Sequence, residues 1–263
     1  MNLKYKIKLI ILDISGTIID HGSLVTVNTF IKVFNKFDIK INPELIIKDM
    51  GIRKEIHIKK ILNESEVKIQ IKNKFKTNKL SKNIYNKICS IFDKELRLQV
   101  KKSLSYIVGF NDLLKFAKKN QIMIGLTTGY PRPVLNTILE HFKKRKFIPD
   151  YAVSATDVKR GRPYGDMSLK IIKNLKVHKK NAIKVDDSIS GIKEGINAGI
   201  KTVGVSLSGI HFLNSYKYRK TLSLKKVKII HKNISKSFLK AKATYVIKDI
   251  SFLKKLLIKK SII

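Results

Sequence analysis

Three apolar runs in this 263-residue chain stop abruptly on polar residues that could do chemistry. Lys8-Leu9-Ile10-Ile11-Leu12 ends on Asp13, followed by Ile14-Ser15-Gly16-Thr17. Ile122-Met123-Ile124-Gly125-Leu126 runs into Thr127-Thr128-Gly129-Tyr130, and Ala182-Ile183-Lys184-Val185 into Asp186-Asp187. A run of this kind reads as a strand buried on both faces, where an unpaired carboxylate is expensive. Carboxylates brought together at strand ends repel, which implies a bound cation. Oxygen donors suit magnesium, held by few protein groups plus substrate phosphate. Hydroxyls and glycine amides beside it suit phosphoryl oxygens. Arg162, in Gly161-Arg162-Pro163-Tyr164, offers a planar cation to the same oxygens. Each signal also has a plainer reading: Asp13 as a cap, Thr128 as a turn hydroxyl, Arg162 as half of a surface ion pair.

The remaining sequence must supply the elements that hold these groups. Val27, Phe30, Ile31, Phe34 and Phe37 recur at helical spacing over 26–37. Pro43 opens a second helix, 53–62 reads as a third, and a lysine- and asparagine-rich helical stretch continues to about Val100. Beyond it, strands and helices alternate: strands at 122–126, 151–153, 182–185, 202–205 and 244–247, with a helix starting at Pro131 and others at 167–175, 189–197 and 250–259. Ala198-Gly199 closes the helix over 189–197. The expected fold class is α/β, a Rossmann-like doubly wound parallel sheet core with an inserted all-helical cap. The core takes 1–21 and 102–263 and the cap 22–101. In such sheets the carboxyl ends of the strands share one crevice, which would gather Asp13, Thr128 and Asp187. The basic stretch 207–243 shows no clear pattern.

Composition narrows the function classes. Hydrophobic residues make up 43% of the chain, enough for a real core. A single cysteine, Cys89, excludes an internal disulfide and fits a reducing, cytoplasmic setting. Lysines 4, 6 and 8 interrupt the N-terminal apolar run, so no signal peptide is expected, and no stretch reaches the roughly 20 apolar residues of a membrane span. The formal net charge of +37 suits a nucleic-acid or anionic-surface binder. Yet Lys and Ile are spread along the whole chain, as A/T-rich coding would produce, whereas a dedicated binder gathers charge on one face. Nucleic acid is therefore not the expected partner, and the charge instead steers an anionic substrate inward.

The order Asp13-x-Ser15-Gly16-Thr17 resembles the first motif of the haloacid dehalogenase-like superfamily. The resemblance implies Asp13 as nucleophile and magnesium ligand, Thr128 as phosphate-binding hydroxyl, Arg162 in the place of the usual basic residue and Asp187 as second metal carboxylate. Ordinary phosphatases of that superfamily carry a general-acid Asp where this chain has Ser15, whose hydroxyl cannot protonate a leaving group near neutral pH. The run Met50-Gly51-Ile52-Arg53-Lys54-Glu55-Ile56-His57 sharpens the likeness. With Thr127-Thr128-Gly129-Tyr130 and Lys193-Glu194-Gly195-Ile196-Asn197-Ala198-Gly199, it is similar to the phosphonoacetaldehyde hydrolases (phosphonatases) over about residues 7–250. That family implies cleavage of a carbon–phosphorus bond through a Schiff base on Lys54, which makes the leaving group an enamine and removes the need for an acid at Ser15. His57, three residues on, shares a helix face with Lys54 and would move protons. Met50, Gly129 and Tyr130 would line the substrate pocket, and the Ser15 carbonyl would join Asp13 and Asp187 on the metal. Family members are dimers, so a homodimer is expected. The family usually has Gly-Asp where this chain has Asp186-Asp187, and often an acidic residue at the position of Gly191. The alternatives are an ordinary magnesium-dependent phosphatase or phosphomutase of the same superfamily and a basic nucleic-acid-binding protein.

Overall fold

Residues Leu9–Asp13 form strand β1, buried at every position, because the strand lies at the centre of a sheet covered on both faces. The structure, a computed structural model, describes residues 6–20, 23–76, 81–102, 104–212 and 216–259. Its sheet contains β1, β2 (Met123–Thr128), β3 (Tyr151–Ser154), β4 (Ala182–Asp186), β5 (Lys201–Val205) and β6 (Tyr245–Ile247). All five pairings are parallel, in the order β3-β2-β1-β4-β5-β6. The chain builds outward from β1 on one side, then returns to add β4 on the other. The strand order thus reverses beside β1, which is where an open α/β sheet leaves a crevice. Asp13 pairs with Thr127 in register, and Leu12 with Val185.

Alternation along β1 fixes which face each residue serves. Ile10 and Leu12 join a core with Ile124, Leu126, Val134, Leu135 and Ile138, beneath α6 (Phe110–Lys119) and α7 (Arg132–Lys144). Leu9 and Ile11 join Val153, Met167 and Ile171 on the other face, beneath α8 (Asp166–Asn174). The helix α9 (Ile189–Asn197) covers β4 and β5. Its first turn is capped by Ser188, whose hydroxyl accepts from the Gly191 amide at 3.0 Å.

Between β1 and β2 the chain inserts five helices: α1 (Leu24–Asn35), α2 (Pro43–Lys48), α3 (Lys54–Asn63), α4 (Ser65–Phe75) and α5 (Lys82–Lys102). Phe30 on α1 is their common anchor. It is fully buried, with ring centroids 4.5 Å from both Phe92 and His57, so one side chain ties α1 to α5 and α3. Burying a side chain of this size contributes about 1.5–3 kcal/mol. Asn42 caps α2, accepting from the Glu44 amide at 3.0 Å, and Pro43 opens it, as its locked φ favours.

Two expectations need correction. The single helical stretch running to Val100 is two helices, because Lys76 closes α4 in the left-handed region at φ 55° before α5 begins. The basic segment without clear pattern holds α10 (Tyr216–Thr221) and α11 (Leu224–Lys240), and Phe238 of α11 is fully buried against Ile192. The last helix opens with a short 3-10 turn at Ile250–Phe252 before α12 (Leu253–Lys259). Among the described residues no helix is long and apolar enough to cross a membrane.

Candidate active site

Four carboxylates converge at the strand ends. Asp13 closes β1, Asp186 closes β4, Asp187 follows it, and Glu194 rises from α9; all are buried. Two buried cations answer them. Arg162, on the loop from β3 to α8, donates from Nη2 to Asp13 Oδ1 at 2.8 Å and from Nε to Glu194 Oε2 at 2.8 Å. The same Nη2 lies 3.1 Å from Asp186 Oδ2. Lys184 on β4 is fully buried, with Nζ 2.9 Å from Asp186 Oδ2 and 2.5 Å from Thr127 Oγ1. Ser168 Oγ donates to Glu194 Oε1, so Glu194 is held while it holds Arg162.

The carboxylates still outnumber the cations. Burial, then Asp186, raise the Asp13 carboxyl to about 6 against the lowering effect of Arg162 and Lys184. Burial, then Asp13 and Asp186, push Asp187 well above the usual carboxylate range, although the Ile210 amide donates to its Oδ2 at 2.7 Å. Asp13 Oδ2 is buried with no hydrogen-bond partner among the described residues. Asp13, Asp186 and Asp187 each present an oxygen within 4.8 Å of the others. An orphaned carboxylate oxygen among mutually repelling carboxylates is the donor set that a hard divalent cation satisfies.

Above these groups the insert supplies an amine. Lys54, the first residue of α3, is 2% exposed, and its Nζ lies 5.7 Å from the Tyr130 ring centroid, 5.9 Å from that of Phe30 and 3.9 Å from Met50 Sδ. No carboxylate among the described residues forms an ion pair with it. Burial first, and then the Arg162 charge, lower its pKa from 10.5 to about 7. Lys54 shares one cavity of about 20 Å³ with Asp13, Ser15, Met50, Thr128, Gly129, Tyr130, Arg162 and Asp187. That volume is roughly one water's worth of free space. The Thr128 hydroxyl accepts from the Tyr130 amide at 3.1 Å, fixing the turn, and Tyr130 Oη meets Thr26 Oγ1 at 2.7 Å.

His57 is set apart from the rest. It lies one turn behind Lys54, fully buried against Phe30, and is not among the residues that line the cavity. Among the described residues neither ring nitrogen has a partner in good hydrogen-bond geometry, and burial, then the Lys54 charge, hold it neutral against a weaker pull from the Ile46 backbone. Sequence reasoning missed Lys184 and Glu194 as members of the charged cluster. A lysine inside the apolar run before Asp186-Asp187 and a carboxylate on the helix after that pair were the only signals. It also passed over Asp20, which accepts from Ser15 Oγ at 3.1 Å and is raised to about 7 by burial.

A family model for haloacid dehalogenase-like hydrolases matches residues 10–205. The chain belongs to this family, a class of hydrolases that the α/β sheet and its strand-end carboxylates already define. A phosphonoacetaldehyde hydrolase from Bacillus cereus is 32% identical over 77% of this chain and 76% of its own. A bifunctional phosphonoacetaldehyde hydrolase/aminoethylphosphonate transaminase from Clostridioides difficile is 29% identical over 97% of this chain, which spans only 40% of that relative. The crystal structure of a phosphonoacetaldehyde hydrolase-like protein from Oleispira antarctica superposes with a TM-score of 0.92 at 29% identity, covering 97% of this chain and 92% of the other. Within the larger family, the chain stands with the phosphonoacetaldehyde hydrolases.

Proposed function

We propose that this protein hydrolyses the carbon–phosphorus bond of phosphonoacetaldehyde, releasing acetaldehyde and phosphate. The observation that carries the reading is the buried amine of Lys54 on the same cavity as Asp13, in direct ion pair with no carboxylate among the described residues and held down by burial and Arg162 against the opposing pull of Asp13, Glu55 and Asp187. The amine adds to the aldehyde carbon and water leaves, giving a protonated imine. Asp13 then attacks phosphorus; the carbon–phosphorus bond breaks and its electron pair moves toward the iminium nitrogen, forming an enamine. A proton returns to carbon, and water frees acetaldehyde from Lys54 and phosphate from Asp13. Arg162 and the Thr128-Gly129 turn hold the phosphoryl oxygens, where preorganised donors stabilise developing charge. His57, held neutral, serves as proton acceptor behind Lys54.

Asp13, Asp187 and the Ser15 carbonyl would hold magnesium, which supplies charge neutralisation at the phosphoryl group. Helices α1–α5 act as a cap over the core, and the same reading expects a cytoplasmic homodimer. Ser15 sets this chemistry apart from ester hydrolysis, since no carboxylic acid stands at that position. Borohydride reduction in the presence of phosphonoacetaldehyde tests the reading, with a reduced two-carbon adduct on Lys54 expected in the mass spectrum. Absence of the adduct, or faster release of phosphate from a panel of phosphate esters than from phosphonoacetaldehyde, overturns it.

A further inference from the structure

Position 191 lies on the first turn of α9, just after Asp186-Asp187-Ser188. Its backbone does not require glycine, for its φ lies outside the left-handed region. The neighbour requires it. A Cβ built on Gly191 falls 1.9 Å from Asp186 Cγ and 2.0 and 2.2 Å from its two carboxylate oxygens. The Asp186 carboxylate therefore fills the volume that any side chain at 191 would need. It is firmly held there: the Ser188 amide and hydroxyl donate to Oδ1 at 3.0 and 2.7 Å, and Oδ2 faces Lys184 and Arg162.

Charge explains what the carboxylate does in that place. Asp186 and Glu194 take up most of the charge of Arg162 and Lys184, although Arg162 also reaches Asp13, so by formal count the four carboxylates of the cluster exceed its two cations by two. That balance matches a divalent cation when Lys54 is neutral. Without Asp186, Arg162 and Lys184 would turn their surplus charge on Asp13, and the attraction for a cation would drop. We propose that Asp186 and Gly191 form a compensating pair, in which the Asp186 carboxylate occupies the place of a side chain at 191 and sets the affinity of the site for its divalent cation. The family resemblance leads one to expect glycine at 186 and an acid at 191, so the pair reads as one carboxylate exchanged between two positions.

The inference rests on reading the strand ends as a cation-assisted phosphoryl site, but not on the substrate. Its test is Mg²⁺ titration calorimetry and Mn²⁺ electron paramagnetic resonance on the full chain without substrate, with thermal melts alongside. Asp186→Asn and Asp186→Gly are each expected to weaken cation binding by about 10-fold or more, the range seen for groups that support metal ligands. Gly191→Asp in the wild-type background should weaken binding and lower the melting temperature, since two carboxylates then contend for one space. Asp186→Gly combined with Gly191→Asp should return binding to near the wild-type value. If D186N lowers the melting temperature but leaves the cation dissociation constant unchanged, Asp186 serves the stability of the fold alone and the proposal fails. It fails equally if the double variant binds no better than D186G. D186N preserves the shape of the side chain, so it decides the matter where D186G does not fold. These readouts are taken on the resting protein, so absence of carbon–phosphorus cleavage would fault the proposed substrate and leave this inference standing.

Discussion

Lys54 holds an amine where a charged amine is disfavoured, between Met50, Tyr130 and Phe30. Its pKa in the folded chain, about 7, lies below the ordinary 10.5, so between those values the unfolded chain binds more protons. Stability from this residue therefore rises with pH across that window, and the penalty is fully present below about 7. Lys54→Met should melt higher than wild type at neutral pH, with the gap closing toward about pH 10; differential scanning calorimetry at both values checks it. The same depression should make borohydride trapping increase as pH rises through about 7, because only the free amine adds to an aldehyde. Asp13→Asn should reduce phosphate release by more than about 1,000-fold, as removal of a nucleophile does, while its circular dichroism stays native. At this scale Asp13, Thr128 and Asp187 were legible, since each ends an apolar run. Lys184 was not: a lysine inside a strand looks like surface until Thr127, Asp186 and Glu194 are brought around it.

The element that delivers Lys54 is the Met50-Gly51 turn. Gly51 has φ +92°, and a Cβ there would lie 2.5 Å from Ser190 Oγ. A Cβ on Gly129 would fall 2.4 Å from the Gly51 carbonyl oxygen, so the insert and the β2 turn meet backbone to backbone. Ser190 Oγ donates to the Met50 carbonyl at 2.9 Å, which adds a second tie between the turn and α9. Gly129→Ala should push the turn outward, cost about 1–3 kcal/mol of local packing, and lower kcat/KM more than it lowers the melting temperature. Steady-state kinetics set beside a thermal melt separates these effects. The helices themselves were legible from their 3.6-residue spacing, yet the break between α4 and α5 was not. Lysines and asparagines on both sides continue a helical pattern there, and only the left-handed Lys76 shows where it stops. The glycine-on-glycine contact was equally hidden, because two separate loops must be superposed before either glycine has a reason.

For the whole molecule the net charge of +37 is a field rather than a site. Between about 0.01 and 0.15 M salt the Debye length shrinks from about 30 to 8 Å, so long-range attraction of an anionic substrate fades. Accordingly kcat/KM should fall over that range while kcat holds, and initial rates at low and saturating substrate will separate the two. The parallel sheet and the place of the insert followed from alternating strands and helices, whereas in the basic segment that became α10 and α11 the helical spacing of Val227, Ile230, Ile234 and Phe238 was masked by the lysines between them, and of these only Phe238 is fully buried. The paths into and out of the insert run side by side. The Ile107 amide donates to the Ile18 carbonyl at 2.8 Å, and Ile19 bridges Tyr106. Arg162 meanwhile reaches both Asp13 and, at 3.4 Å, the Gly51 carbonyl. One guanidinium is thus shared by the carboxylate that ends β1 and by the Met50-Gly51 turn that roofs it. On the proposed reading, lifting that roof would break the Gly51 contact of the same guanidinium that holds Asp13, so seating the roof and arming the floor would be a single event.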